Sequence, residues 1–516
     1  MKISVKHKYL IFPVSTYASE KLLTLSNDLG DDYKLKIRLD SISPDFQAYI
    51  DVSRFMGQEL LIACEPQMEV RFEESDTMDI PDVYNELYRP QVHFTTKNGW
   101  LNDPNGLIFV DGKYHMFYQH NPCEPRWSNM HWGHAISTDM LHWEETDIAL
   151  FPDKSGAMFS GSAIADEKNL LGLKSGEHTP ILLYYTATAP YSQYLAYSSD
   201  GLKTIQKTKT PVIPHIVGSN RDPKIIFCED WDAYALVLYM NEDIYSLFRS
   251  KDMIHWDKIQ DISISGDNEC PDIFPITTDD GKRKWVLIGA HDRYYVGDMD
   301  ENGFHPIQDA QSLHYGQSAY AGQTFSGLPN GRIVRIDWDR SFITTPRIKG
   351  QMSFPTELTL KRVDSIYYLC ALPIKEIESL YDDSLLFEGL EISSTEKKKI
   401  ELDTKPCIIK IDAKFSSSKN ITFNLFGRKI ICDTEKNTVT LSKNTAPLSL
   451  SSNKLELVII SDNCSLELYI AGGKFYMGTV DASTYCDYNL PYLAISANED
   501  LTIDRMEIHT LKSIWR

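Results

Sequence analysis

The sequence predicts an all-β chain, and three observations carry that expectation. Apolar residues come in short runs between polar turns, as in Leu107-Ile108-Phe109-Val110, Ile181-Leu182-Leu183-Tyr184-Tyr185, Ala235-Leu236-Val237-Leu238-Tyr239 and Trp285-Val286-Leu287-Ile288. Runs of that length with such boundaries read as strands. Sustained helical periodicity is nearly absent: Ile374 to Leu380, directly after Pro373, is the best helical candidate and is placed as a connector. The third observation is an internal repeat. Ala135-Ile136-Ser137-Thr138-Asp139-Met140-Leu141-His142-Trp143 recurs as Phe248-Arg249-Ser250-Lys251-Asp252-Met253-Ile254-His255-Trp256, with a weaker copy in Ala196-Tyr197-Ser198-Ser199-Asp200-Gly201-Leu202. A strand, a Ser-x-Asp turn and another strand every ~50–60 residues is close to the period of a β-propeller blade. The Ser and Asp are read as turn caps, so the repeat speaks for architecture and not for chemistry.

The elements follow in order. Residues 1–85 contain Lys34-Leu35-Lys36-Ile37-Arg38-Leu39-Asp40, which alternates apolar and charged side chains, and Leu60-Leu61-Ile62-Ala63. They are predicted to form a small N-terminal β module, with Ser75 to Pro81 as a linker. Residues 86–372 hold the repeat, and counting units from Asp103 through Ser160, Asp222, Glu269 and Tyr320 gives about five blades. A five-bladed β-propeller would send one motif from each innermost strand to a common axis. Residues 373–516 begin with the linker helix and return to strands in Ile408-Ile409-Lys410-Ile411, Leu455-Glu456-Leu457-Val458-Ile459-Ile460 and Leu466-Glu467-Leu468-Tyr469-Ile470. A C-terminal β-sandwich of ~130 residues is expected there.

Bulk properties narrow the function classes. A chain of 516 residues exceeds one ordinary core, so two or three domains are expected. The net charge of −20 lacks the basic footprint that nucleic acid requires and favours a soluble protein with a neutral substrate. No window approaches a membrane-spanning length. Its 28 Tyr and 9 Trp suit sugar faces, although each one alone suits a β core better. Nine cysteines without a CxxC pair argue against a disulfide framework or a zinc site and point to a reducing compartment. The basic start, Met1 to Lys8, precedes an apolar stretch too short for a signal sequence and interrupted by Pro13, so a cytoplasmic location is expected. His131-x-x-His134 has no third ligand nearby and runs into a strand, so no metal is expected.

Three isolated acids stand in phase with the repeat: Asp103 in Asn98-Gly99-Trp100-Leu101-Asn102-Asp103-Pro104-Asn105-Gly106-Leu107, Asp222 in Arg221-Asp222-Pro223, and Glu269 in Glu269-Cys270-Pro271-Asp272. Alone, the first is a strong turn sequence, the second a local ion pair and the third a strand end. Together, at blade spacing, they suggest a carbohydrate-cleaving centre.

The motifs around these acids carry a resemblance. Gly99 to Gly106, Phe117-Tyr118-Gln119-His120-Asn121-Pro122, His131-Trp132-Gly133-His134-Ala135, Phe159-Ser160-Gly161-Ser162, Arg221-Asp222-Pro223, Glu269-Cys270-Pro271 and Ala321-Gly322-Gln323-Thr324-Phe325 occur in the order found in glycoside hydrolase family 32. That family contains invertases, sucrose-6-phosphate hydrolases, inulinases and levanases. The likeness runs from about residue 88 to the end, with a fainter echo in Ser461 to Ile470. The segment before residue 85 resembles the extra β domain of some bacterial fructan-degrading members.

The resemblance implies a retaining β-fructofuranosidase that needs no cofactor and takes sucrose or a short fructan as its carbohydrate partner. Asp103 would be the nucleophile, Glu269 the acid/base and Asp222 the transition-state stabiliser, with nucleophile and acid carboxyls about 5–5.5 Å apart. Like-charge crowding is expected to raise Glu269, while Arg221 holds Asp222 ionised. Asn102, Gln119, Trp127 and Ser160 match fructose-pocket positions, and Phe159, Arg221, Tyr295 and Tyr320 complete the implied substrate-binding set. Two departures touch the pocket rim: Ser318 stands where members often carry Asp, and the His291-Asp292-Arg293-Tyr294-Tyr295 loop is short. A fructosyltransferase using the same intermediate and a non-catalytic fructan-binding protein are the alternatives. Sucrose-6-phosphate remains a further possible substrate. Linkage preference and oligomeric state stay open, a homodimer being one option.

Overall fold

The computed structural model describes residues 1–515 apart from 341–346, 404, 415–419, 449–453 and 480–485. The N-terminal module is two small antiparallel sheets. One, of four strands, contains Lys2–Ser4, Lys21–Ser26, Asp32–Ile37 and Glu59–Glu65; the other, of three, contains Tyr9–Val14, Phe46–Asp51 and Glu73–Ser75. The alternation read in the sequence is a burial alternation, since every second residue of Asp32–Ile37 and of Glu59–Glu65 faces the interior.

From Gly99 to Pro373 the chain builds five consecutive sheets, each based on a four-stranded antiparallel path. Their first strands are Gly99–Val110, Met158–Ala165, Arg221–Cys228, Asp272–Thr277 and Ala319–Thr324, and each touches the next, with the fifth touching the first. That closed cycle is a propeller. The ring is sealed where Ile348–Lys349 pairs in parallel with Gly99 and Trp100, and where the amides of Phe109 and Ser326 bond across to Ser326 and Leu107. The three Ser-x-Asp copies make the same contact: Ser137, Ser198 and Ser250 donate to Asp139, Asp200 and Asp252 at 2.9, 2.8 and 3.1 Å. They cap turns, as the sequence suggests.

Polar side chains stitch neighbouring inner strands together. Gln323 donates to Gly161 at 3.0 Å and accepts from the Leu107 amide, Ser162 donates to the Pro223 carbonyl at 2.8 Å, and the buried Lys224 pairs with Asp272 at 3.1 Å. The run Asn102 to Gly106, read from sequence as a turn, is instead the middle of the strand Gly99–Val110. Gly106 sits there at φ +51° with Phe117 and Trp132 so close that a Cβ would collide with the Phe117 ring.

The connector expected at Ile374 to Leu380 is a 3-10 helix, Lys375–Leu380. After it come two six-stranded sheets, which face each other over one apolar core that includes Ile409, Phe423, Leu457 and Ile495. This sandwich also shares a core with the propeller: Leu101, Met116 and Ile336 cluster with Ile408, Ile460 and Tyr469. Among the described residues no helix is long and apolar enough to cross a membrane.

Candidate active site

Four of the five innermost strands break their pairing ladder at the motif residues. Register skips between Leu101 and Pro104, Phe159 and Gly161, Arg221 and Lys224, and Tyr320 and Gln323. Such bulges leave Asp103, Ser160 and Asp222 outside the regular pleat and re-aim their side chains. The remaining strand, Asp272–Thr277, begins just after Glu269 and Cys270. Asp222, Glu269 and Cys270 hold φ of +66°, +58° and +34°. A non-glycine residue there costs about 1 kcal/mol or more, a strain typical of functional sites.

These irregular residues meet. Ser160 donates its hydroxyl to Asp103 Oδ2 at 2.7 Å, and the Cys270 thiol lies 3.5 Å from that oxygen and 3.4 Å from Asp222 Oδ2. The Cys270 amide donates to Asp222 Oδ2 at 3.1 Å, and the Asp222 amide donates to Thr186 Oγ1 at 3.0 Å. Glu269 accepts from Arg221 Nη2 on one oxygen and from the Tyr320 hydroxyl on the other, the latter at 2.6 Å. Arg221 Nε stands 3.6 Å from Asp222, and the guanidinium lies over the Tyr239 ring. One arginine and one cysteine therefore join three carboxylates that are 119 and 47 residues apart in the chain.

The electrostatics differ from the expectation. Asp222 is pushed up to about 7, first by burial and then by the Glu269 and Asp103 charges, with Arg221 opposing. Burial also raises Asp103, against the hydrogen bonds from Ser160 and Asn102. From sequence the raised carboxyl is expected at Glu269, with Arg221 keeping Asp222 ionised. In the structure Asp222 is raised despite Arg221 because its side chain is deeply buried, 6% exposed. Arg221 also gives its hydrogen bond to Glu269, so its charge is shared between two acids.

The other candidates fall into place unequally. Asn102, beside Asp103, is fixed by the Trp100 indole at 2.7 Å, and buried Gln119 donates to the Met158 carbonyl at 3.0 Å. Trp127, 58% exposed, stands edge-on to Phe159, which in turn stands edge-on to Tyr191. Tyr295, partly buried, packs against the apolar cluster between the third and fourth blades. Ser318 is not on the rim either. It is buried against Gly478 of the sandwich, where a glycine Cβ would meet its hydroxyl at 2.1 Å. His131 and His134 turn to protein partners, His131 to Tyr33 and Asn129, His134 to His115 and Thr146.

Sequence reasoning missed several neighbours. The Cys270 thiol, between Asp103 and Asp222, is one of them. His291 and Trp338 stand edge-on to Tyr320, and Arg340 lies over its ring. His291 and Arg340 come from loops and Trp338 from the strand Val334–Asp339, and no repeat marks any of them. A cleft of about 2390 Å3 runs between the N-terminal module and the first two blades and borders this site only at Trp127 and Phe159.

The profile of the glycosyl hydrolases family 32 N-terminal domain matches residues 93–370, more than half of the chain, and that of the family's C-terminal domain matches 376–480. The chain belongs to glycosyl hydrolase family 32. Among its relatives is the levanase of Bacillus subtilis, 30% identical over 84% of this chain and 72% of that protein. The extracellular exo-inulinase of Aspergillus ficuum is 26% identical over 84% of this chain and 96% of its own length. Other relatives are much longer: this chain spans 28% of a Streptococcus mutans fructan beta-fructosidase and 53% of a Bacillus levanase. In fold, the chain superposes on the Aspergillus awamori exo-inulinase with a TM-score of 0.74 at 23% identity, covering 84% of this chain and all of that one. For the Schwanniomyces occidentalis beta-fructofuranosidase complexed with fructosyl-erythritol the TM-score is 0.75 at 23% identity, with 85% and 100% covered. Both likenesses establish the propeller-plus-sandwich architecture.

Proposed function

We propose that this family 32 chain is a retaining glycosidase that releases terminal β-D-fructofuranosyl units from sucrose or short fructans. The observation that carries the reading is the convergence of Asp103, Asp222 and Glu269, from three blades, around one thiol and one guanidinium. The names of the relatives (levanase, exo-inulinase, invertase) support the substrate class. Asp103, steadied by Ser160, attacks the anomeric carbon. Glu269 protonates the leaving oxygen, then activates water to break the fructosyl–enzyme ester. Asp222 accepts hydrogen bonds from fructose hydroxyls as the ring flattens. Near neutral pH burial keeps a proton close to Asp222 in the resting site, with the Arg221 guanidinium opposing it. Nine cysteines without a CxxC pair support a reducing, cytoplasmic setting.

Incubation with sucrose, inulin-type oligomers and levan, followed by product analysis, tests this. Free fructose released first as the β anomer supports retention and hydrolysis. Longer oligomers without net fructose would move the reading to transfer. Asp103→Asn and Glu269→Gln are expected to lower turnover by at least ~10³-fold, and wild-type rates in either would remove that residue from its role.

A further inference from the structure

The N-terminal module holds the loop that carries Trp127. This loop, residues 122–130, joins two strands of the first blade, Lys113–Asn121 and His131–Ser137. On one side it borders the large cleft, which Trp127, Ser128, Asn129 and Met130 help to line. Asn121 of its own blade bonds Cys123, Arg126 and Asn129 from within, and on the outer side the loop meets the module at Cys123, Glu124, Arg126 and Asn129.

Asn129 bonds the backbone of Lys36 twice, accepting from the amide and donating to the carbonyl, each at 2.8 Å. It does so at φ +48°, a conformation that Asn tolerates better than most residues. Glu124, almost fully buried, accepts from the Arg38 amide at 2.5 Å and from its guanidinium at 2.6 Å. Arg126 donates to the Thr16 carbonyl at 2.8 Å, and Cys123 is part of the module's own apolar core. At the end of the loop, His131 donates from Nδ1 to the Asn129 carbonyl, which leaves Nε2 to accept the buried Tyr33 hydroxyl at 2.7 Å. Burial keeps that imidazole neutral.

From Trp127 the contacts continue inward. Its ring stands edge-on to Phe159, and Phe159 precedes Ser160, whose hydroxyl holds Asp103. We infer that the N-terminal module is a positioning element of the active site: through Arg38–Glu124, Lys36–Asn129 and Tyr33–His131 it sets the place of Trp127 as a wall for the bound sugar. Arg38 and Tyr33 thus act through Trp127 and are not catalytic residues. The inference deepens the proposed function and rests on it, since Trp127 must face substrate.

The test is a double-mutant cycle on the full chain, read with whichever of sucrose, inulin-type oligomer or levan is hydrolysed fastest. Trp127→Ala is expected to raise KM. Arg38→Met is expected to raise KM about threefold to tenfold, to leave kcat within about twofold, and to add less than about 1.5-fold once Trp127 is Ala. Tyr33→Phe, which loses one hydroxyl, carries the same cycle should Arg38→Met fail to fold, as followed by thermal unfolding. Multiplying effects in the double variant, or a loss confined to kcat, would overturn the positioning role while leaving the hydrolase assignment intact. An unchanged KM in Trp127→Ala would instead overturn the placement of Trp127 in the pocket, and the inference with it.

Discussion

At the scale of residues, the acids are held at a cost to the fold. A carboxyl raised to about 7 in the folded chain, against an ordinary value near 3.8, favours folding while protonated. Its penalty therefore grows as pH rises from about 4 to about 7 and is fully present above that. Asp222→Asn should abolish most activity yet stabilise the protein at pH ~8 by on the order of 2 kcal/mol, read from denaturant midpoints. An unchanged or lowered midpoint would contradict that sign. Arg221 opposes the rise of Asp222, so Arg221→Met should move the acid limb of the kcat/KM profile upward by about one pH unit, besides lowering its height. A downward shift would place the governing proton elsewhere. The three acids were legible because each sits in a motif at blade spacing. The Ser160–Asp103 and Cys270–Asp222 contacts were not, since bulge geometry decides which neighbour a side chain meets. Tyr295 shows the same limit of sequence reading: an aromatic residue on a blade strand suits the inter-blade core as well as a pocket.

At the scale of elements, the sandwich is bound to the propeller through buried charge. His93, just before the first blade, donates to Asp462 at 2.8 Å and stands 3.4 Å from Glu467. Burial works to lower this imidazole, but the two carboxylates outweigh it and push it up to about 10. Asp462 also accepts the Gln91 and Val92 amides, each at 2.9 Å, and Glu467 receives the Tyr469 and Tyr476 hydroxyls. The raised histidine adds stability that is complete below about pH 6.5 and fades as pH climbs through about 10. Denaturant midpoints should fall between about pH 7 and 10, and His93→Gln should flatten that fall; a wild-type slope in the variant would rule the pair out as its source. Asp462→Asn should cost about 3–5 kcal/mol, because it strands a buried cation, and a loss below ~1 kcal/mol would show the charge relieved by other means. The echo Ser461 to Ile470 was visible in the sequence, but strand alternation cannot tell a core carboxylate from a solvent-facing one. Only the packed fold gives it this joint.

At the scale of the whole molecule, the shared core decides how the chain comes apart. Ile460 belongs to the sandwich yet packs with Leu101 and Ile336 of the propeller. Ile460→Ala should therefore cost about 2–4 kcal/mol and shift the unfolding of both parts together. Eight of the nine tryptophans lie in the propeller, so their emission can be compared with far-ultraviolet circular dichroism, which sees every strand. Coincident midpoints are expected for propeller and sandwich; tryptophan signal that persisted after the sandwich had melted would refute a common core. The three-part layout was readable from apolar runs and one repeat, because strands and blades are local patterns. How the parts lean on one another was not, because it depends on contacts such as Arg38 with Glu124, 86 residues apart.

The skipped pairs at Asp103, Ser160, Asp222 and Ala321 place this protein's chemistry at the faults of its own lattice. A propeller selected only for durability would close those gaps, one deleted residue at a time, and each repair would turn a working side chain into one more rung. Tolerance of imperfect sheets is thus a condition for this kind of enzyme to arise, and the regular outer strands of each blade are what make the irregular inner ones survivable.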